Sequence, residues 1–293
     1  MGKTLEEIIA EYNAKAQSYP KFVYQGIIFL GGYDIFPSPY SIMQYNSNNG
    51  QYTIFVNKAG LRYLASSPNG HSDWTFTRVS LPYGSIAFSG GLILTAYHKW
   101  FNNQSFFYFQ KNGVDVSFIR EPHGEDITFI ERAELGKPKY RAYARMNVPP
   151  AVRSVGVMES NDFVTWSPLK EILTPTESDA GREFYSMSVI ESEKGFFGFV
   201  NVFNSLNNKT TIRLVHSLDG LDTMPWTWLN AGNPIIPLET REQLYASASV
   251  INNEVHITTI SAKFNHSEIN RNGRFYYTEL WKISLTNLYK YLL

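Results

Sequence analysis

The chain has 293 residues, 43% of them hydrophobic and 15% aromatic, with 26 basic and 26 acidic side chains and no cysteine. That length suits one large all-β domain as well as two smaller ones, and zero net charge gives no global field to draw nucleic acid or an anionic membrane. Absence of cysteine excludes a disulfide framework, a thiolate nucleophile and a cysteine-ligated metal, while the aromatic content favours strands.

Residues 1–20 read as a short N-terminal α-helix. Thr4 and Glu7 stand at capping-box spacing, and Leu5, Ile8, Ile9 and Tyr12 recur at helical period over residues 4–17. The stripe packs on the rest of the chain or docks on a partner chain. Glu6, Glu7 and Glu11 stand where a signal peptide would be apolar, and no run approaches the roughly 18 apolar residues of a membrane span. The expected setting is cytoplasmic or within a virion.

Residues 21–293 read as one repeat-built domain. Phe22 to Leu30 is apolar and β-rich and is stopped by Gly31-Gly32; it is expected to close a ring by pairing with strands from the far end of the chain. A phrase then recurs near residues 42, 86, 127, 190 and 251. Each copy places a small or polar residue before a β-branched one, then a turn, then an aromatic or aliphatic run, as in Ser188-Val189-Ile190, Lys194-Gly195 and Phe196-Phe197-Gly198-Phe199. Such a spacing is the mark of a propeller or an array. Blade one runs from about residue 33 to 81, blade two from 83 to 125, and blade five from 243 to 285.

A second phrase closes the blades. Ser67-Pro68-Asn69-Gly70 leads to Trp74, Ser160-Asn161-Asp162-Phe163 to Trp166, and Ser217-Leu218-Asp219-Gly220 to Trp226. Asn, Asp and Gly supply side-chain acceptors and a left-handed backbone, so this reads as a strand–turn–strand device with a tryptophan packed over the blade edge. Blade two carries a reduced version at Lys111-Asn112-Gly113. The predicted fold is therefore all-β, a single five-bladed β-propeller preceded by the N-terminal helix.

At these phrases the chain resembles the five-bladed propellers of the glycosidase world, the arabinanase and β-xylosidase group and the levanase and invertase group. The likeness covers most of the chain and is strongest over residues 126–285. It implies a carbohydrate partner and carboxylates on the innermost strands pointing into a central funnel. One would act as base or nucleophile and another as general acid, because the leaving oxygen must be protonated while the other face is attacked. The acids near blade openings are Asp34, Asp126 and Glu183, with Glu125 beside Asp126, and Glu242 in blade five; blade two opens neutrally at Tyr83-Gly84-Ser85-Ile86. Glu183 stands out as general acid because Phe184 and Tyr185 would desolvate it; the alternative is an ion pair with Arg182 or Arg153. Where the family carries an acid before its Pro-Ser-Ile phrase, this chain has Ser38-Pro39-Tyr40-Ser41-Ile42, so Asp34 takes that role only if its loop folds back into the funnel.

Tyr33, Tyr40, Trp100, Tyr185 and Tyr245 fall near strand openings, where aromatic faces stack on sugar rings or pack in the core. His98 lies beside Trp100. Arg141 and Arg145 share one face of a predicted strand and either line the funnel or bridge blades. No cofactor is implied: the six histidines show no metal-ligand spacing, and there is no phosphate-cradling glycine loop. The function expected is a glycoside hydrolase acting on an oligo- or polysaccharide. The neutral blade-two opening and the departure before Tyr40 support an alternative, a non-catalytic glycan-binding or virion structural protein such as a phage tail or receptor-binding component.

Overall fold

A computed structural model describes residues 19–31, 35–37, 43–46, 49–58, 61–82, 84–89, 91–102, 104–121, 124–132, 138–148, 152–176, 179, 181–236, 242–262 and 276–293. The N-terminal helix expected over residues 4–17 lies outside the described residues.

The described strands form five separate antiparallel sheets. Blade one comprises β2 (Ile35–Pro37) and β3 (Gln44–Asn46), which both pair with β4 (Gln51–Lys58), followed by β5 (Leu61–Ser67) and β6 (Thr75–Val79). Blade two runs through β7 (Ser85–Ser89), β8 (Leu92–Phe101), β9 (Gln104–Lys111) and β10 (Val114–Arg120). Blade three is β11 (Gly124–Glu131), β12 (Tyr140–Val148), β13 (Val152–Ser160) and β14 (Lys170–Leu173). Blade four is β15 (Arg182–Ser192), β16 (Gly195–Asn204), β17 (Lys209–Ser217) and β18 (Thr227–Trp228). Blade five takes β19 (Glu242–Ile251), β20 (Glu254–Ala262) and β21 (Tyr276–Ser284) from the end of the chain and β1 (Val23–Gly31) from its start.

The ring is thus closed as the sequence suggests. Val23 pairs with Lys282 and Gly31 with Tyr276, so the first strand is the outermost strand of the last blade. The first strands of all five blades line a common axial channel of about 510 Å³, to which Gln44, Ala87, Ile130, Val189 and Ser249 each contribute. At the end of the ring where these strands finish, Arg132, the residue after β11, binds Glu191 of β15 at 2.8 Å.

The blade-closing phrase is one turn used three times. In each copy the serine Oγ accepts the backbone N–H three residues on: Gly70 at 3.0 Å, Phe163 at 2.9 Å and Gly220 at 3.0 Å. The Asn or Asp at the third position then accepts following amides, as Asp162 Oδ1 does from Val164 at 2.8 Å and Thr165 at 2.7 Å. The residue after it has positive φ in every copy, +72° at Gly70, +64° at Phe163 and +71° at Gly220. The tryptophan that follows packs on the preceding blade: Trp166 stacks on Phe109 at 4.3 Å, Trp226 meets Tyr143 edge-on, and Trp74 lies against Phe29 of the closing strand. Local turn chemistry therefore also seals the blade interfaces.

The structure adds a helix that the sequence analysis did not anticipate. Ser284 caps α1 (Leu285–Tyr289), its Oγ accepting the Asn287 N–H, and a tight 3-10 turn follows over Lys290–Leu292. Leu288 and Tyr291 are buried among Phe22, Phe197 and Leu214 at the base of blades four and five. Tyr291 stacks on Tyr19 at 4.8 Å, so the two ends of the described chain lock together. Among the described residues no helix is long and apolar enough to cross a membrane.

Candidate functional site

The residues of interest meet where the inner strands begin. In blade three, Glu125 pairs with Arg145 and Thr128 with Tyr143, which leaves Asp126 and Ile127 facing one residue of β12. This is a β-bulge, and Asp126 takes the left-handed conformation it requires, at φ +47°. The bulge turns both neighbouring acids to one guanidinium: Arg145 binds Glu125 and, at 2.7 Å, Asp126. Blade four repeats the device, with Tyr185 as the extra residue between Phe184 and Ser186. Blade five has it between Gln243 and Tyr245. A bulge near the start of an inner strand re-aims side chains that strict alternation would send into the blade interfaces.

Tyr185 is the hub of the cluster. The Arg145 guanidinium lies 5.3 Å from the centre of its ring and that of Arg153 lies 4.9 Å away, both in cation–π range. Arg153, from β13, bonds Glu183 and reaches the Tyr185 hydroxyl at 3.4 Å. A continuous path therefore runs from Asp126 through Arg145, Tyr185 and Arg153 to Glu183, joining blades three and four. Burial, opposed in part by Arg153, pushes the Tyr185 phenol above the ordinary tyrosine range.

Blade two contributes His98. The Asp126 backbone N–H donates to His98 Nδ1 at 3.4 Å, a long hydrogen bond that the neutral ring can accept with its proton on Nε2. Burial first, and then the charge of Arg145, hold His98 below the ordinary histidine range. Two residues further along β8, Trp100 is 52% exposed at the same end of the ring.

Among the residues expected at the site, the structure thus brings together Asp126, Glu183, His98, Arg145 and Tyr185, with Trp100 on the rim. Arg141 goes elsewhere. It does share a strand face with Arg145, but four residues of strand separate them by about 13 Å, and Arg141 pairs in register with Ile130 toward the other end of β11. There it is 4% exposed, bonded to Glu159 at 2.8 Å and to the Asp219 carbonyl, with its guanidinium 4.8 Å from the Phe196 ring centre. It is a structural bridge from blade three to the closing turn of blade four, the inter-blade role that the sequence left open. Tyr33, Asp34 and Tyr40 lie outside the described residues. Glu242 and Tyr245 are placed on β19, but their side chains lie outside the described ones.

Arg153 entered the sequence analysis only as a partner for Glu183. Nothing in the sequence marks it as a cover for Tyr185, since it arrives from the third strand of the neighbouring blade. Glu183 is held by that arginine rather than enclosed by aromatic rings alone, so the pairing alternative describes its surroundings.

No protein-family model matches the chain, and no curated protein matches it. Solved structures do. An α-L-arabinanase of Penicillium chrysogenum in complex with arabinobiose shares 14% identity over 91% of this chain and 99% of its own, with a TM-score of 0.51. A β-1,2-mannobiose phosphorylase of Listeria innocua in complex with β-1,2-mannobiose shares 12% identity over 94% of both chains, with a TM-score of 0.58. An N-acetylgalactosamine deacetylase of F. plautii, in complex with blood group B trisaccharide, shares 10% identity over 94% of this chain and 95% of its own, with a TM-score of 0.59. The chain therefore has the fold of the five-bladed β-propellers found among glycoside hydrolases.

Proposed function

We propose that this propeller acts on carbohydrate and hydrolyses a glycosidic bond at the end of the ring where the inner strands begin. The observation that carries this reading is that Asp126 and Glu183, on adjacent inner strands, are held over one mouth through Arg145, Tyr185 and Arg153. Glu183 is the proton donor to the leaving oxygen and Asp126 the opposing carboxylate, the division of labour that glycoside hydrolysis needs. Trp100 offers an exposed face to a sugar ring, and neutral His98 supplies a hydrogen bond to a hydroxyl. The resemblance of the fold to glycoside hydrolases supports the class of ligand but not the reaction, because the same fold carries an arabinanase, a phosphorylase and a deacetylase.

The test is turnover on a panel of aryl glycosides and oligosaccharides. Hydrolysis by the wild type, reduced at least a hundredfold by Glu183→Gln and by Asp126→Asn with folding intact, is the expected result. Unchanged turnover in both variants would defeat the assignment. A binding-only reading is favoured by one specific observation: Glu183 and Asp126 each already carry an arginine partner. It predicts glycan binding without turnover, weakened by Trp100→Ala.

A further inference from the structure

Three of the blades seal against the blade before them with a tryptophan, and blade two does not. Trp74, Trp166 and Trp226 each stand between the last two strands of their blade and pack on a ring of the preceding one. In blade two the corresponding strands, β9 and β10, are joined by Asn112 and Gly113, at φ +51° and +79°. Left-handed values at both central residues make a two-residue hairpin turn, too short to carry a tryptophan across to blade one. At the interface left without this seal lies a groove of about 760 Å³, within the roughly 300–1,000 Å³ usual for ligand pockets.

The groove is positively charged. Arg62 and Arg78 line it from blade one and Lys99 from blade two, against a single acid, Asp115. Arg78 and Lys99 are both exposed, and among the described residues neither has a carboxylate partner. Lys99 is nevertheless held in place. Its Nζ lies 5.1 Å from the ring centres of Tyr97 and Tyr108, in cation–π range. Those two rings stack at 5.2 Å, and Tyr97 is only 3% exposed, so the cation rests on a fixed support.

The support is itself tied down. The Tyr97 hydroxyl donates to Asp115 Oδ1 at 3.2 Å, and Gln110 Nε2 donates to the same oxygen at 2.8 Å. Both bonds fall on one carboxylate oxygen and leave the other to accept from a ligand. Alternation along β8 keeps this surface apart from the mouth: Tyr97 and Lys99 face blade one, while His98 between them turns to Asp126.

Two cations without carboxylate partners beside an open acceptor select the ligand. A bare anion would meet the cations and be repelled by Asp115, and a neutral sugar would leave the cations idle. A saccharide that carries carboxylates uses both, through charge-assisted hydrogen bonds from Arg78 and Lys99 and a hydroxyl donated to Asp115. We infer that the groove between blades one and two binds an acidic oligosaccharide, one that bears uronate carboxylates. The choice of a saccharide rests on the carbohydrate reading of the mouth; the choice of an anion rests on the groove alone.

Calorimetric titration of the Glu183→Gln protein, in which turnover is blocked, tests it with trigalacturonate, trimannuronate and triglucuronate. Xylotriose is the neutral comparison and hexaglutamate the acidic-peptide one. At least one uronate trimer should bind, and more weakly as salt is raised. Arg78→Gln and Lys99→Gln, both at exposed side chains, should each weaken that binding by about tenfold or more, the worth of one hydrogen bond to a charged group. The inference is overturned if no uronate binds, if xylotriose binds as tightly, if hexaglutamate binds better, or if neither substitution changes affinity. The two sites can fail separately. Hydrolysis lost in Glu183→Gln, with no uronate bound, refutes the groove and leaves the mouth standing. Uronate binding that depends on Lys99, in a wild type that turns over no glycan, leaves the groove standing and refutes hydrolysis at the mouth.

Discussion

The Arg145 guanidinium lies 5.3 Å from the centre of the Tyr185 ring while it binds Asp126 at 2.7 Å, so one side chain of blade three holds both its own bulged carboxylate and the hub of blade four. Two bulges make this possible. Asp126 and Tyr185 are each among the extra residues of their strands, and each is turned toward the neighbouring blade at the same end of the ring.

Replacing Arg145 by Met keeps the stem and removes the charge. Glu125 and Asp126 would then face each other in a partly buried setting without their shared cation, at a cost of about 2–3 kcal/mol. Adding Asp126→Asn should recover part of that loss, a non-additivity of about 1 kcal/mol in a double-mutant cycle followed by urea unfolding. The same substitution should move the His98 titration upward but not fully to its ordinary value, because burial is the larger of its two causes. A downward movement in an NMR titration would contradict the geometry.

Phe163 tests the repeated closing turn. It occupies the left-handed position that Gly70 and Gly220 hold in the sister copies, yet it is fully buried among Phe109, Phe129, Tyr140 and Trp166. Phe163→Ala should cost about 3–5 kcal/mol, since it opens a cavity at a blade interface. Phe163→Gly loses the same ring but relieves the left-handed strain. It should therefore be at least as stable as the alanine variant, the reverse of the usual order for the two residues. Thermal unfolding of the pair decides this.

His256 gives the fold a defined acid limit. It is 1% exposed at the seam where blade five meets blade one, stacked 6.0 Å from the Tyr52 ring, with Lys282 and Glu254 nearby. Burial, and then the charge of Lys282, lower its pKa from 6.5 to about 4, with Glu254 opposing. The unfolded chain takes up a proton below pH 6.5 that the folded chain refuses until about pH 4. Stability from this group is thus full above pH 6.5 and falls progressively as the pH drops toward 4, by about 3 kcal/mol in all. His256→Phe should flatten the fall in the thermal midpoint between pH 7 and pH 4.5. An equally steep fall in that variant would assign the effect to other groups.

What could be read from the sequence is what short-range chemistry controls. The Ser–Asp–Trp turns announce themselves because serine and aspartate side chains bond backbone amides only two or three residues away, and Gly70 and Gly220 mark the left-handed position directly. The β-branched phrases mark the inner strands because alternation is local, and Phe22 to Leu30 could be set at the ring closure because it lacks a blade of its own. Ser284 and the helix it caps went unread: the five residues of α1 are too few to show a period, and burial of Leu288 against a distant blade holds them in place.

The candidate site was legible in its residue types and not in its arrangement. Arg141 and Arg145 look equivalent in sequence, and only the antiparallel register of β12 sends one to the mouth and the other to the Glu159 bridge. Bulges shift that register without a local signature at Asp126 or Tyr185, so which acid meets which arginine depended on the folded ring. The five recurring strand phrases and the turns that close three of the blades pointed by themselves to a five-bladed propeller. Tertiary structure alone decided which charges face one another across its blades, because those contacts join residues far apart in the chain, 59 apart for Arg132 and Glu191, and no sequence window spans them.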